Sequence, residues 1–424
     1  MAGKKRWSIT VVVLAVLLLA VSAAALSPVT EFMNLFARDY SLPELMVTEE
    51  GKKVADSKTW TIERRPEILD LYRKHVFGRA PGPPQRLDFE LVEKGGAFSK
   101  KAIRKQVRVT VTGRESVSMD LLLYLPKQKK PAPVFLILNF NGNHTVEPDP
   151  HILVTSNWVR NRGVKIIDHR ASERSRGSAD YRFPIKEMIS RGYGLATMYY
   201  GDIDPDFDDG FKNGVHAAVG PAPSERTPES WGSISTWAWG LSRAMDYLET
   251  DPDVDAGRVA VAGHSRLGKT ALWAGALDQR FALVISNESG CGGAALFRRK
   301  VGETITAINT NFPHWFCENF HSYNGKEAKL PVDQHMLVAL VAPRPVYVAS
   351  ASADWWSDPQ GEFLAARYAS PVWELFGKEG LKTSQMPPVG KRVGDSIGYH
   401  VRPGDHDLTP FDWDKFMDFA DEKM

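Results

Sequence analysis

The run Arg258-Val259-Ala260-Val261-Ala262-Gly263-His264-Ser265-Arg266-Leu267-Gly268-Lys269-Thr270 constrains this chain more than any other stretch. A short apolar run, a glycine-bracketed turn and a helix-like segment to Asp278 require a buried strand to pass almost directly into a helix. Two unrelated chemistries use such a turn. Gly263 to Thr270 fits G-x-x-x-x-G-K-[ST], whose backbone cradles phosphates in nucleotide hydrolases. The same residues put Ser265 two positions after Gly263, where a nucleophile elbow would lift its hydroxyl above a sheet. The elbow pattern G-x-S-x-G expects glycine at 267, whereas Leu267 stands there and the glycine comes one later. The motif alone does not choose.

The surrounding pattern sets the architecture. Residues 134–139, 194–200, 259–262, 281–286 and 345–350 are apolar runs suited to buried strands, and 105–112 and 116–124 also read as strands, the first with period-2 alternation. Residues 61–76, 185–190 and 231–249 read as helices. Alternating strands and helices predict a mostly parallel sheet covered on both faces, with reactive groups at the carboxyl ends of the strands. No internal repeat or low-complexity tract interrupts the 424 residues.

The nucleotide reading fits the rest of the chain poorly. A phosphate-loop enzyme needs a second apolar strand ending in Asp to hold magnesium, and 281–286 runs into Asn287 and Glu288 instead. The chain also opens with Lys4-Lys5-Arg6, an apolar stretch from Ile9 to about Val21, and Ser22-Ala23-Ala24-Ala25. That is the layout of a secretory signal peptide over residues 1–25, with an uncleaved membrane anchor as the competing reading. Export predicts a secreted or periplasmic protein with little access to ATP or GTP. Lys plus Arg number 53 against 51 Asp plus Glu, so nothing in the charge points to a nucleic-acid partner. Two cysteines, Cys291 and Cys317, exclude a disulfide scaffold and cannot by themselves make a structural zinc site, but leave open one bridge or two thiols.

A serine hydrolase must supply a base and an orienting acid, in the order serine, acid, histidine for this fold. His400 and His406 are the histidines that follow the last of these core strands. His406 lies in the turn-rich Arg402-Pro403-Gly404-Asp405-His406-Asp407 and is the expected base, while His400, at a strand end, reads as structural. For the acid, Asp354 follows the strand through Val348; Asp358 before Pro359 looks like a turn starter, and Glu288 ends the strand after the elbow. The oxyanion hole would use the Arg266 N–H and a donor from the 139–144 turn, and Arg266 adds a fixed positive charge beside the nucleophile. Asp204, Asp206 and Asp208 resemble the start of a calcium loop, but glycine is displaced to Gly210 and Val215 stands where Glu is required, so a surface turn is expected. Trp355 and Trp356, beside the candidate acid, could face a sugar.

Together these residues resemble the glucuronoyl esterases, carbohydrate esterase family 15, and in particular its bacterial branch. The likeness rests on G-x-S-R-x-G-K at Gly263 to Lys269, which accounts for the displaced glycine, and continues through Ser289-Gly290-Cys291-Gly292-Gly293-Ala294, Phe312-Pro313-His314-Trp315-Phe316, Leu330-Pro331-Val332-Asp333-Gln334-His335 and Ala342-Pro343-Arg344-Pro345. It implies an α/β-hydrolase fold over 59–424, preceded by an N-terminal surface segment at 26–58. It also implies hydrolysis of esters of 4-O-methyl-glucuronic acid, the side group of xylan, including links to lignin alcohols, with no metal or organic cofactor. Ser265 would be nucleophile and His406 base. Both acid positions known from such enzymes, Asp354 and Glu288, are filled, with Asp354 expected to lead. The resemblance gives Arg266 a role on the oxyanion, and Lys269, Glu303 and Trp356 contacts to the sugar.

One departure stands out. Fungal members carry Cys before the serine and after the histidine, where this chain has His264 and Asp407, so the His406 loop is expected to be held by packing alone. His264 is a lesser candidate base. The expected partner is a glucuronoxylan or lignin-carbohydrate ester, bound by a monomer. Another exported carbohydrate esterase, such as an acetyl xylan esterase, and a non-catalytic sugar-binding module are the competing readings.

Overall fold

The computed structural model describes residues 40–161 and 165–424. The expected signal peptide, and residues 26–39 of the N-terminal segment, lie outside the described residues. From Tyr40 the chain runs along the surface and is pinned by Arg64, whose guanidinium donates to the carbonyls of Glu44 (2.6 Å) and Leu45 (3.1 Å).

The apolar runs pair side by side as expected. β1 (Arg86–Ala97), β2 (Ala102–Thr112), β3 (Ser116–Pro126), β4 (Ala132–Asn139), β5 (Gly194–Tyr199), β6 (Val254–His264), β7 (Leu283–Asn287), β8 (Val346–Ala351), β9 (Val393–Gly394) and β10 (Ile397–Arg402) form one sheet. Its order is β1-β2-β3-β5-β4-β6-β7-β8-β10-β9. β5, β4, β6, β7, β8 and β10 are mutually parallel, and the outer pairs are antiparallel. β1 has no counterpart among the sequence-read strands: this edge strand leaves most of its residues exposed or half-exposed, and its apolar signal is only the short alternation of Leu87, Phe89 and Leu91.

Successive residues of the parallel strands enter opposite cores, as the two-residue strand repeat demands. Val134, Leu136, Val259, Val261, Val284, Val346 and Val348 face one side. There they meet Trp237 and Trp273 of helices α3 (Ser233–Leu248) and α4 (Arg266–Leu277). Phe135, Ile137, Ala260, Ala262, Ile285, Tyr347 and Ala349 face the other side. That side is closed by Met188 of α2 (Ile185–Ser190) and by Trp413 and Phe416 of α7 (Pro410–Lys423). The earlier helical segment includes α1 (Arg65–Tyr72) and ends at Gly78, whose φ is 80° and whose position leaves no room for a Cβ against Trp231. The result is a three-layer α/β-hydrolase architecture, with α5 (Gln334–Ala339) and α6 (Pro359–Ala369) completing the side of α3 and α4.

From β4 the chain turns outward to β5 and then returns past β4 to β6. The strand order therefore switches direction between β4 and β6, the crevice where open α/β sheets gather ligands. Ser265 follows the last residue of β6 at this switch. No described helix is long and apolar enough to cross a membrane.

Candidate active site

The elbow is a single residue. β6 ends at His264, α4 begins at Arg266, and Ser265 between them adopts φ 60° and ψ −130°. Positive φ in a residue other than glycine is strained, and such strain concentrates at reactive residues. The turn is held from both sides. The Ser265 N–H donates to the Asn287 carbonyl at 2.9 Å, and the Ser265 carbonyl accepts from Gly268 (2.8 Å) and Lys269 (3.1 Å). A Cβ on Gly263 would lie 1.9 Å from the Leu267 oxygen, so this glycine is required by the tightness of the turn. The displaced Gly268 meets a different demand, since a Cβ there would approach the Asn287 oxygen at 2.9 Å, where α4 touches the end of β7. Between the two glycines lie the last residue of β6, the single-residue elbow and the first two residues of α4, rather than an open phosphate cradle. Lys269 Nζ is committed to the Ser289 carbonyl at 2.5 Å.

His406 comes to this end of the sheet on the loop after β10. Its Nδ1 lies 2.6 Å from Asp354 Oδ2 and 3.3 Å from Glu288 Oε2. Both carboxylates are buried, Glu288 at a positive φ of 46° after β7 and Asp354 after β8. Burial of His406 opposes its charged form, but the hydrogen bonds and charges of Asp354 and Glu288 win and raise its pKa to about 9. The two acids respond differently. Burial pushes Glu288 up to about 7 despite His406 and Arg402. For Asp354 burial also acts upward, yet the His406 contact and the Ser357 donors hold it below the usual carboxylate range. Of the two candidate acids, Asp354 makes the shorter contact with His406.

The His406 loop is held by more than packing, which corrects the expectation drawn from the absent cysteines. His264 does pack on His406, with ring centroids 4.6 Å apart. Around that contact runs a polar clamp. Arg402 Nη2 donates to the carbonyls of Asp405 (2.5 Å) and Asp407 (2.7 Å), Asn287 Nδ2 donates to the Asp407 carbonyl at 3.2 Å, and Arg182 pairs with the Asp407 carboxylate at 2.5 Å. His264 itself is buried, is paired with the Asn287 amide at 2.9 Å, and has its pKa held well below the usual value by burial. Its contacts are thus with Asn287 and the face of the His406 ring.

Arg266 is anchored by a residue the sequence reading missed. Asp204 and Asp206, expected in a surface turn, are buried, and only Asp208 of the three is exposed. Asp206 receives Arg266 Nη1, His314 Nε2 (3.0 Å), Trp315 Nε1 (2.8 Å), the Tyr200 hydroxyl (2.9 Å) and Arg160 Nη2 (3.2 Å). Burial favours the neutral acid, but His314, Arg266, Trp315 and Arg160 together hold the carboxyl below its usual range. The Arg266 guanidinium also lies 4.7 Å from the Trp315 ring centroid and 5.2 Å from that of Phe312. Four hydrogen-bond donors converge on this one carboxylate, and the Arg160 guanidinium, which donates to the Asp206 carbonyl at 3.0 Å, adds an ion pair. The signal available in sequence was the Asp-x-Asp-x-Asp repeat, which carries no mark of Arg160, Arg266, His314 and Trp315, partners 46 to 109 residues away.

The remaining residues fall as follows. Lys269 Nζ is 3.5 Å from Glu303 Oε2, and the Glu303 N–H donates to the Trp356 carbonyl at 2.9 Å, so all three are brought to one side of the elbow helix. Trp356 is 43% exposed and meets Trp355 edge-on at 5.7 Å, leaving an open aromatic face. In the 139–144 turn, the Gly142 N–H is taken by Asn139 Oδ1 at 2.9 Å, while the Phe140 ring reaches to 6.0 Å from the Arg266 guanidinium. His400 is fully buried between Asp412 (3.0 Å) and the Tyr347 hydroxyl (2.9 Å), the structural role expected of it. Asp358 caps α6 through Gly361 and pairs with Arg299 at 2.8 Å. Cys291 and Cys317 are free buried thiols.

A family model for fungal glucuronyl esterases matches residues 226–377, from before α3 through α6. A carbohydrate esterase of an unknown prokaryotic organism is 51% identical over 390 residues, covering 91% of this chain and 90% of that one. A solved structure of a promiscuous CE15 esterase from the marine bacterial metagenome superposes with a TM-score of 0.86 at 49% identity, over 92% of this chain and 99% of its own. A glucuronoyl esterase from Solibacter usitatus gives a TM-score of 0.85, also at 49% identity, over 91% and 99%. Identity of this degree across nearly the full length of both chains, joined to the elbow and the paired carboxylates, makes this chain a member of carbohydrate esterase family 15, the glucuronoyl esterases.

Proposed function

We propose that the protein is a secreted or periplasmic serine esterase that hydrolyses esters of glucuronic acid and its 4-O-methyl derivative, as in lignin-carbohydrate links of glucuronoxylan. The observation that carries this reading is the 2.6 Å contact of His406 Nδ1 with Asp354, beside a serine held at positive φ at the strand-order switch. His406 accepts the Ser265 proton, and Oγ attacks the C6 carbonyl of the uronate ester. The oxyanion that forms is stabilised by Arg266, held for that purpose by Asp206, and by backbone donors at the elbow. Collapse breaks the ester C–O bond, and the alcohol leaves with the proton from His406. Water then gives its proton to His406, attacks the acyl-serine, and releases the uronic acid and the free serine.

Lys269, Glu303 and Trp356 supply complementary contacts to the sugar: a cation, a carboxylate and an open ring face. The enzyme acts as a monomer in this reading. The test is hydrolysis of benzyl or methyl glucuronate by the purified protein beside Ser265→Ala, with acetylated xylan as a second substrate. Glucuronate ester hydrolysis that disappears with Ser265 supports the assignment. A folded protein inactive on every glucuronate ester overturns it, and activity confined to acetylated xylan makes the enzyme a different carbohydrate esterase.

A further inference from the structure

Two carboxylates reach His406, but their surroundings differ. Asp354 Oδ1 accepts one weak bond from the Ser357 N–H at 3.3 Å, and Oδ2 is directed to His406 at 2.6 Å. Glu288 has both oxygens occupied elsewhere: Oε1 by Arg402 Nη2 at 2.8 Å, and Oε2 by the Asp407 N–H at 2.9 Å, with His406 at the longer 3.3 Å. A carboxylate drawn into charge-assisted bonds has less to give a further donor. Glu288 is therefore turned toward the arginine.

Arg402 is the centre of that arrangement. It is 4% exposed, and besides Glu288 it donates to the carbonyls of Pro403 (3.0 Å), Asp405 (2.5 Å) and Asp407 (2.7 Å), and through Nε to Asp412 Oδ2 at 3.1 Å. Asp412 is fixed in turn by His400 at 3.0 Å and by the N–H and hydroxyl of Thr409, each at 2.8 Å. One planar guanidinium thus joins the end of β7, the turn carrying His406 and the start of α7. A fork of this shape cannot be reproduced by an ammonium. It spans the same loop that a pair of cysteines, at 264 and 407, would tie covalently.

We infer that Arg402 is a positioning residue: by engaging Glu288 and the carbonyls on either side of His406, it fixes the loop and leaves Asp354 as the carboxylate that orients the base. This rests on the esterase reading above, with His406 as base. Asp354 is the working acid because Arg402 has taken its competitor.

The experiment is a double-mutant cycle read in kcat and KM on benzyl glucuronate. Its members are Arg402→Lys, Asp354→Asn and their combination, each checked for folding by near-UV circular dichroism. With Arg402 intact, Asp354→Asn is expected to lower kcat by about 10³-fold or more, as loss of an orienting acid does. In the Arg402→Lys background Glu288 is released toward His406, and the same change is expected to lower kcat at least about 10-fold less. Penalties that simply multiply overturn the inference. A second comparison needs no arginine variant: Glu288→Gln with Arg402 intact is expected to lower kcat at least about 10-fold less than Asp354→Asn and to move the pH–kcat limb less. Equal penalties for the two acids overturn the inference even if Arg402→Lys fails to fold. Ser265→Ala, run in parallel, separates the levels. Loss of activity there together with multiplying penalties removes only the role of Arg402, whereas activity that survives Ser265→Ala overturns the esterase mechanism and this inference with it.

Discussion

Gly263→Ala tests the elbow most directly. The added methyl carbon would lie 1.9 Å from the Leu267 oxygen, 2.3 Å from the Leu267 carbonyl carbon and 2.8 Å from the Gly268 nitrogen, all of them backbone atoms in the first turn of α4. Ordinary contact begins near 3.4 Å, so that turn must retreat by roughly 1 Å or more, and no side-chain rotation can relieve it. Overpacking of this kind destabilises by about 3 kcal/mol. A shift of about 1 Å in a reacting group lowers the rate by about 10²-fold. Gly268→Ala is the control. Its nearest approaches are 2.9 Å to the Asn287 oxygen and 3.1 Å to the Gly263 oxygen and the Ser289 Cβ, so the backbone must still give by about half an ångström, far less than at 263, and alanine in a helix returns about 1 kcal/mol of propensity. Urea unfolding should therefore rank wild type, then Gly268→Ala within about 2 kcal/mol, then Gly263→Ala. The kcat on benzyl glucuronate should fall about 10²-fold for Gly263→Ala and by less than about 10-fold for Gly268→Ala. Gly263→Ala within about 1 kcal/mol and 3-fold of wild type, or a reversed order, would refute the claim that backbone contact at 263 sets the serine's position.

Asp206→Asn should lower kcat by about 10²-fold with little change in KM, because it releases Arg266 from its anchor; in an Arg266→Ala background it should add almost nothing, and losses that multiply would count against the pairing. On the proposed mechanism His406 must be neutral to accept a proton, and its pKa is raised to about 9, so kcat/KM should climb with pH between about 7 and 9. Removing the nearer acid with Asp354→Asn should move that limb to lower pH while lowering its plateau, and a limb that stays in place would exclude Asp354 as the main cause of the shift. Lys269→Met should raise KM for glucuronate esters by about 10-fold or more while leaving kcat for a small non-sugar ester within a few fold, a split measured by steady-state kinetics on both substrates.

The local signals in the chain held up where the physics is local. The apolar strands at 134–139 and 259–262, the elbow at Ser265 and the late loop with His406 each follow from residues close in sequence, since a buried parallel strand must be apolar along its own length. The edge strand β1 escaped notice although Leu87, Phe89 and Leu91 alternate with charged residues, because that alternation is short and most of the strand meets water.

Polar environment was not legible in this way. Asp206 and Asp208 look alike in sequence, yet one is buried under four hydrogen-bond donors and an ion-paired arginine and the other is exposed. Arg266 lies 60 residues from Asp206, and Glu288 lies 114 residues from Arg402. Whether a carboxylate is charged, neutralised or engaged elsewhere depends on such distant partners, because burial penalises charge and only a donor delivered by the fold can offset it. Sequence thus determined the central parallel strands and the positions of the candidate serine, base and pair of acids. The tertiary structure decided which acid lies closest to His406, what clamps its loop and what anchors Arg266, since each is a contact between segments whose nearness exists only once the strands have paired.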